Sequence, residues 1–180
     1  MIAKAIKKDT AVSVSVYPTA IKKDHPLSTV RNEFNAIFST GNMVGESMIY
    51  GKGAGSLPTG SAVMSDILDI AFDINHHRSR RNLEEKIEPV KVESLDQQRS
   101  KFFMRVFLKD QAGVLEEFSH LFKVQNINIS RLIQKETENN QAEVVVITDD
   151  TLESNFNELK NDLEKSSCVL KLESIIRVGL

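Results

Sequence analysis

The sequence predicts an α+β fold in which an incomplete antiparallel sheet with one helix precedes a complete βαββαβ unit. Two observations lead to this prediction. Six of the eight glycines fall between residues 41 and 60, so the first half depends on loops. In the second half, apolar residues alternate or recur at helical spacing in the order strand, helix, strand, strand, helix, strand.

The N-terminal residues combine a short amphipathic segment with a strand. Residues 1–8 resemble the tail of a longer helix, which led us to expect that the natural chain extends upstream. Valines then alternate with polar residues over 12–16, a pattern typical of a half-buried strand. Pro18 ends this strand because it cannot donate to a sheet ladder.

Two more strands and a helix complete the first half. Alternation over 34–38 predicts one strand and residues 43–50 another, with a hairpin turn at Gly41 and Asn42 between them. Apolar residues at helical spacing from Val63 to Ile74 predict a helix, with Pro58 in or near its first turn. About 75 residues with one helix cover only part of a sheet, so this half is predicted to be truncated.

The second half has an unambiguous order of elements. Strands are predicted over residues 102–108, 127–133, 143–148 and 170–178, and helices over 114–122 and 152–163. Asn139 and Asn140 supply a turn, and Asp150 with Glu153 predicts a capping box for the second helix. The expected result is a four-stranded antiparallel sheet with both helices on one face.

Between the halves, residues 76–100 are predicted to be a linker. Apolar residues are sparse there, a basic cluster from His76 to Arg81 runs into an acidic one, and Pro89 interrupts any helix. The basic cluster has two explanations, a phosphate-binding patch or cations that suit the end of a helix. We favour the second because charge runs are commonly solvated surfaces.

Composition excludes several classes of function. Charged residues make up 27% of the 180-residue chain, with a net charge of −2, so nucleic acid is not an expected partner. The sequence has no apolar run long enough to cross a membrane and no secretory signal, so a cytoplasmic location is expected. Cys168 is the only cysteine and predicts a structural thiol. The histidines lack partners at metal-ligand spacing, so no metal site is predicted.

One loop could hold a cofactor. Residues 50–59 read YGKGAGSLPT and lie between a predicted strand and a predicted helix, where backbone amides can bind an anion. The loop fails the nucleotide P-loop pattern because no Lys followed by Ser or Thr closes it. It fails the dinucleotide fingerprint because Ser56 occupies the third glycine position. The alternative explanation is a tight turn that lets the helix pack closely on the sheet.

The first 75 residues resemble the final part of the catalytic domain of homoserine dehydrogenase. The similarity is carried by residues 16–19, 24–27, 34–37, 51–59, 61–63 and 66. It implies that Gly53, Gly55 and Thr59 lie against the nicotinamide cofactor, NAD or NADP. The family's catalytic lysine and Rossmann domain precede these segments, so the resemblance assigns no catalytic residue here and implies an inactive isolated chain.

Residues 101–180 resemble the regulatory ACT domain, a ferredoxin-like unit that many bacterial homoserine dehydrogenases carry. The segment 109–115, KDQAGVL, matches the ACT turn motif except that Ala112 replaces the usual proline. We expect two copies to pair through their open sheet edges, and also through the sheet of the first half, and to bind an amino acid at the seam. The resemblance implies that this effector is threonine.

Four residues are candidates for the effector site. Asp110 is placed to accept the ligand ammonium, the turn through Gly113 and Val114 offers amides to the carboxylate, and Asn126 adds a hydrogen bond. The alternative explanation for Asp110 is a local turn and capping role, which we weight equally.

These features imply a domain order and a function. Residues 1–75 are the end of the catalytic and dimerisation domain, 76–100 the linker and 101–180 the ACT domain. The implied parent enzyme is an NAD(P)-dependent oxidoreductase that interconverts L-homoserine and L-aspartate 4-semialdehyde in threonine and methionine biosynthesis, with allosteric feedback. The alternative is a stand-alone, non-enzymatic ACT module that senses amino acids or binds other proteins.

Overall fold

A computed structural model describes residues 1–76, 89–136 and 140–179. The chain divides into two compact units. Unit 1 comprises Met1–Ile21 and Val90–Leu180, and unit 2 comprises Lys22–Pro89. This division differs from the boundary at residue 75 because the N-terminal strands cluster with the C-terminal unit. The functional division into a catalytic and a regulatory part stays a prediction.

The N-terminal segment of unit 1 is a strand, so the expected helix tail is wrong. β1 (Ile2–Lys7) pairs antiparallel with β2 (Ala11–Tyr17), which ends immediately before Pro18 as predicted. The six-residue β1 satisfies its backbone groups through this pairing, whereas an isolated helix of that length would be marginal. The β2 face that carries Val14 and Val16 is exposed, contrary to the half-buried orientation expected.

The main sheet of unit 1 has the predicted βαββαβ order. Its elements are β7 (Arg99–Lys109), α2 (Val114–Val124), β8 (Ile129–Glu136), β9 (Gln141–Thr148), α3 (Glu153–Lys165) and β11 (Val169–Val178). These strands pair antiparallel in the order β11, β7, β9, β8. The α+β class and the ferredoxin-like topology are therefore confirmed.

Unit 1 also contains three short strands, two in the main sheet and one in the sheet formed by β1 and β2. β3 (Thr19–Ala20) pairs parallel with β11, β10 (Thr151–Leu152) pairs with β7, and β6 (Lys91–Val92) pairs parallel with β2. A 3₁₀ turn at Leu95–Gln97 follows β6, so the last part of the predicted linker is folded. Most of the basic and acidic cluster falls in residues 77–88 and lies outside the described residues, as does Asn139.

The predicted capping box at Asp150 is wrong. α3 begins at Glu153 with Leu152 as its N-cap, and no side chain caps it. Pairing of β10 with Ser100 and Arg99 of β7 keeps residues 151 and 152 extended and delays the helix. Asp150 instead accepts a hydrogen bond from Arg99 Nε at 2.9 Å.

One apolar core lies between the sheet of unit 1 and its two helices. Alternate residues of β7 and β9 point inward and meet the apolar faces of α2 and α3, as the sequence periodicity predicts. The fully buried large side chains include Phe102, Met104, Val106, Leu108, Phe118, Phe122, Val144, Val146, Leu159 and Leu163. Both helices therefore cover the same face of the sheet.

Unit 2 contains a hairpin and a long helix. β4 (Phe34–Gly41) pairs with β5 (Gly45–Lys52) in continuous register, as predicted, although the turn extends to Val44. α1 (Ser56–Asn75) follows the glycine loop, with Pro58 in its first turn. None of the described residues of unit 2 is buried.

Leu159→Ala tests the core of unit 1. Leu159 is 0% exposed on α3, so its truncation should lower the free energy of unfolding by about 2–5 kcal/mol through lost burial and a residual cavity. Leu115→Ala on α2 is the matched control, because Leu115 is 40% exposed. Urea unfolding followed by circular dichroism measures both, and equal losses would contradict the assigned core.

Candidate functional site

The glycine loop of unit 2 connects β5 to α1 and is held against β4. The Gly53 amide donates to the Glu33 carbonyl at 3.0 Å, and Lys52 Nζ lies 3.3 Å from Glu33 Oε1. A Cβ built on Gly53 would lie 1.6 Å from Asn35 Nδ2. Asn35 therefore closes one side of the loop, and any side chain at residue 53 would have to displace it.

The loop ends at the start of α1. Gly55 is the N-cap with φ +126°, a conformation that residues with a Cβ rarely adopt, and no side chain caps the helix. The Thr59 amide donates to the Gly55 carbonyl at 3.1 Å, whereas the first amides of a helix have no intrahelical acceptor. The loop thus brings Gly53, Gly55 and Thr59 together beside the positive end of a helix dipole.

This geometry fits a polar or anionic group of a cofactor. The loop is exposed, and the amides at the start of α1 point along the helix axis. Sequence reasoning missed Asn35 and Glu33 as the groups that hold the loop. Asn35 is a polar residue on the alternate face of a predicted strand, and that was the available signal.

The effector candidates of unit 1 lie at two ends of one helix. Asp110 follows β7, and its amide donates to the Asn140 carbonyl at 3.0 Å. Gly113 is the N-cap of α2 in the left-handed region at φ +88°, and Val114 opens the helix. Asp110 does not cap α2, since that helix has no side-chain cap. Its alternative explanation as a helix cap is therefore wrong.

Asn126 lies beyond the other end of α2. The helix has 11 residues, which at a rise of 1.5 Å per residue span about 16 Å. Asn126 is in the left-handed region at φ +53° and lines an open cavity with Ser119, Lys123 and neighbouring residues. A single copy of the chain therefore does not bring Asn126 to the turn at Asp110.

The remaining candidates have structural partners. His25 Nδ1 accepts a hydrogen bond from the Leu27 amide at 3.2 Å, and His76 Nδ1 lies 2.9 Å from the Phe72 carbonyl. His120 is exposed on α2. Asp149 accepts a short hydrogen bond from Asn128 Nδ2. Within residues 1–76, 89–136 and 140–179, no three histidine, cysteine or acidic groups cluster in a way that could hold a metal.

Cys168 is buried at the start of β11. Burial is the largest cause that raises the pKa of its thiol, and the negative charge of Glu117 adds to this effect. The hydrogen bond with Ser166 Oγ, at 3.1 Å, acts in the opposite direction. A thiol with a raised pKa carries little thiolate at neutral pH and is a poor nucleophile.

The fold and the glycine loop define a class of protein: an α+β chain with a glycine-rich strand-to-helix loop in one unit and a ferredoxin-like sheet in the other. The family that it resembles is homoserine dehydrogenase, whose family model matches residues 1–68. This region contains the whole glycine loop. No helix in the part of the chain that the structure describes is long and apolar enough to span a bilayer.

Individual relatives support the same resemblance. The homoserine dehydrogenase of Neisseria gonorrhoeae is 33% identical over 96% of this chain and 41% of its own length. That of Bacillus subtilis is 29% identical over 99% of this chain and 42% of its own. The chain thus spans about two fifths of these curated relatives. The resemblance predicted from sequence is confirmed.

Solved structures agree with the sequence comparison. A homoserine dehydrogenase from Thiobacillus denitrificans superimposes with a TM-score of 0.84 at 26% identity, covering 97% of this chain and 41% of that one. The S. aureus enzyme at pH 6.0 gives 0.57 at 31% identity, covering 99% and 41%. The chain is therefore similar to homoserine dehydrogenases in sequence and in fold over nearly its whole length.

Alkylation of Cys168 tests its structural role. Because the thiol is buried and its pKa is raised, iodoacetamide at pH 8 should modify the native chain at least about 100-fold more slowly than the chain in concentrated urea. Mass spectrometry gives both rates directly, since Cys168 is the only cysteine. Similar rates in the two conditions would indicate an accessible, reactive thiol.

Proposed function

We propose that the chain is part of a cytoplasmic, NAD(P)-dependent homoserine dehydrogenase that interconverts L-homoserine and L-aspartate 4-semialdehyde. The observation that carries this proposal is the similarity to homoserine dehydrogenases across 96–99% of the chain in the N. gonorrhoeae and B. subtilis relatives. The glycine loop lies inside the region matched by the family model. The reaction belongs to threonine and methionine biosynthesis.

The chain contributes binding and orientation to this reaction. Gly53, Gly55 and Thr59 would hold the nicotinamide cofactor, which supplies the hydride acceptor when bound. The geometry supports this role because the loop is exposed at the start of α1 and Gly55 has a backbone conformation that residues with a Cβ rarely adopt. No residue of this chain is proposed to be catalytic, so the isolated chain is expected to show no turnover.

The sheet of unit 1 is proposed to sense an amino acid, with threonine as the effector. Asp110 is exposed and would accept the ligand ammonium, while the Gly113 amide would donate to the carboxylate. The Val114 amide donates to the Gln111 carbonyl at 3.3 Å and would have to exchange that bond to join it. Binding here would regulate the cofactor-bearing part of the enzyme.

Pairing of two copies would complete the effector site. β3 covers one edge of the main sheet by pairing with β11, and no strand of the described residues pairs with the outer side of β8. In an antiparallel pair of β8 strands, the start of β8 in one copy lies beside the end of β8 in the other. Asn126 precedes the start of β8, and Asp110 lies at the end of the sheet where β8 ends. Pairing would therefore bring Asn126 of one copy to the end of the sheet that carries Asp110 of the other. This arrangement supports the joint assignment of Asp110 and Asn126.

Gly53→Ala tests the cofactor assignment in the longer enzyme. A Cβ at residue 53 must turn the exposed Asn35 side chain away and take its place beside the loop, so kcat/KM for the cofactor should fall about tenfold. Gly60→Ala is the matched control, because no atom lies within 4 Å of the Cβ that it adds. Reduction of NAD(P) with L-homoserine, followed at 340 nm as a standard absorbance reading, measures both variants.

Two results would contradict this proposal. Equal cofactor kinetics for the two glycine variants would remove the loop from the cofactor site. Absence of homoserine oxidation in the longer protein would overturn the dehydrogenase assignment and favour the non-enzymatic ACT module.

Calorimetry of the 180-residue chain with L-threonine tests the sensor. We expect saturable heat, and Asp110→Asn should weaken binding at least about tenfold because the ammonium loses a charged partner. Asp96→Asn, which changes an aspartate of the Leu95–Gln97 turn, should leave the affinity unchanged. Sedimentation with and without ligand reports pairing. No heat with threonine or with other amino acids would remove the sensor proposal.

A further inference from the structure

Arg177, near the end of β11, is enclosed by side chains from three other elements of unit 1. Its Nε donates to Glu153 Oε1 at 2.8 Å and its Nη2 donates to Glu153 Oε2 at 2.6 Å. The guanidinium carbon lies 3.3 Å from the centroid of the Tyr17 ring and 5.4 Å from that of Phe102. The guanidinium therefore donates two hydrogen bonds to the Glu153 carboxylate and packs against aromatic rings at the same time.

Glu153 connects the same site to two further elements. It is the first residue of α3, and only 4% of it is exposed. Its Oε1 also accepts a hydrogen bond from Ser100 Oγ of β7 at 2.8 Å. Its amide donates to the Gln98 carbonyl at 2.9 Å. The carboxylate is thus shared by β7 and β11 and lies at the start of α3.

Stability alone does not account for a buried ion pair of this kind. Removing two charges from water costs about as much as their attraction returns, so apolar residues of similar size are often equally stabilising. What the pair adds is a defined geometry. The bidentate fork fixes the guanidinium in one orientation, and the Tyr17 ring packs on that surface.

Tyr17 precedes the segment by which the chain leaves unit 1. β3, at Thr19–Ala20, pairs with Arg177 and Val178 of β11, and the Gly179 amide donates to the Ala20 carbonyl at 2.9 Å. A two-residue strand supplies little stability of its own, so it depends on neighbouring contacts. After Ile21 the chain passes into unit 2, which carries the glycine loop.

We propose that the ion pair of Arg177 and Glu153, here called the clasp, couples strand β11 and helix α3 to residues 17–21, the segment that leads into unit 2. Arg177 is a positioning residue in this proposal, since it acts through Tyr17 and β3. The regulatory meaning of the clasp rests on the proposed function. If effector binding shifts β11 or α3, the clasp would move the segment that enters the unit proposed to bind the cofactor. Coupling between two sites requires a physical connection of this kind.

Hydrogen exchange of the 180-residue chain tests the clasp. The double variant Arg177→Met with Glu153→Leu removes both charges at once and leaves no unpaired buried carboxylate. We expect exchange of the Gly179 amide and of the peptide over residues 17–21 to rise at least tenfold, with core amides of β9 unchanged and the urea midpoint maintained. Arg177→Lys keeps the positive charge but loses the bidentate hydrogen bonds of the guanidinium, so exchange at Gly179 should still be faster than in the wild type.

Arg105 and Glu143 provide a matched control on the same sheet. Arg105 Nε donates to Glu143 Oε1 at 2.7 Å, but this pair lies over Phe107 of its own strand and not over the N-terminal segment. Arg105→Met with Glu143→Leu should leave exchange at Gly179 within twofold of wild type.

Three outcomes would overturn the clasp. They are unchanged exchange at Gly179 in the Arg177 and Glu153 double variant, an equal rise in the Arg105 and Glu143 control, and wild-type exchange in Arg177→Lys. None of these measurements needs dehydrogenase activity or effector binding. A failed homoserine assay would therefore count against the proposed function alone.

Discussion

The central constraint on this protein is the burial of one face of β7. Its inward side chains, Phe102, Met104, Val106 and Leu108, are almost wholly removed from water and pack against both helices of the unit. Apolar burial is the largest favourable contribution to folding, and a strand with alternate apolar residues can satisfy it in only one register. β7 sets the register of its neighbours β9 and β11. It therefore also positions the turn at Gly113 and the ion pair of Arg177 and Glu153.

The described residues of unit 2, 22–76 and 89, form no comparable core. Its helix exposes large apolar side chains such as Leu57 and Ile74, and its hairpin exposes Ile37 and Ile49. The restraints on the glycine loop are local: the Gly53 amide donates to the Glu33 carbonyl, and the Thr59 amide donates to the Gly55 carbonyl.

The two proposed ligand sites therefore differ in how they are supported. The effector turn is carried by the end of β7 and the start of α2, which belong to the most deeply buried part of the molecule. The cofactor loop is carried by a hairpin and a helix without a core. Coupling between the two proposed sites would require a segment of the chain whose position depends on both regions. The segment from Tyr17 to Ile21 has that position, since it is paired with the sheet and continues into the hairpin unit.

Periodicity in the amino-acid order was sufficient for the βαββαβ arrangement, the hairpin and the long helix, because alternation and helical spacing report which face of an element is buried. It was also sufficient to locate the glycine loop and the turn at Asp110. Long-range pairing determined the rest. β1 became a strand because β2 was available as a partner, and residues 151 and 152 stayed extended because β7 bound them, which removed the expected capping box. The contact of Arg177 with Tyr17 joins residues 160 positions apart, and no local pattern encodes such a contact.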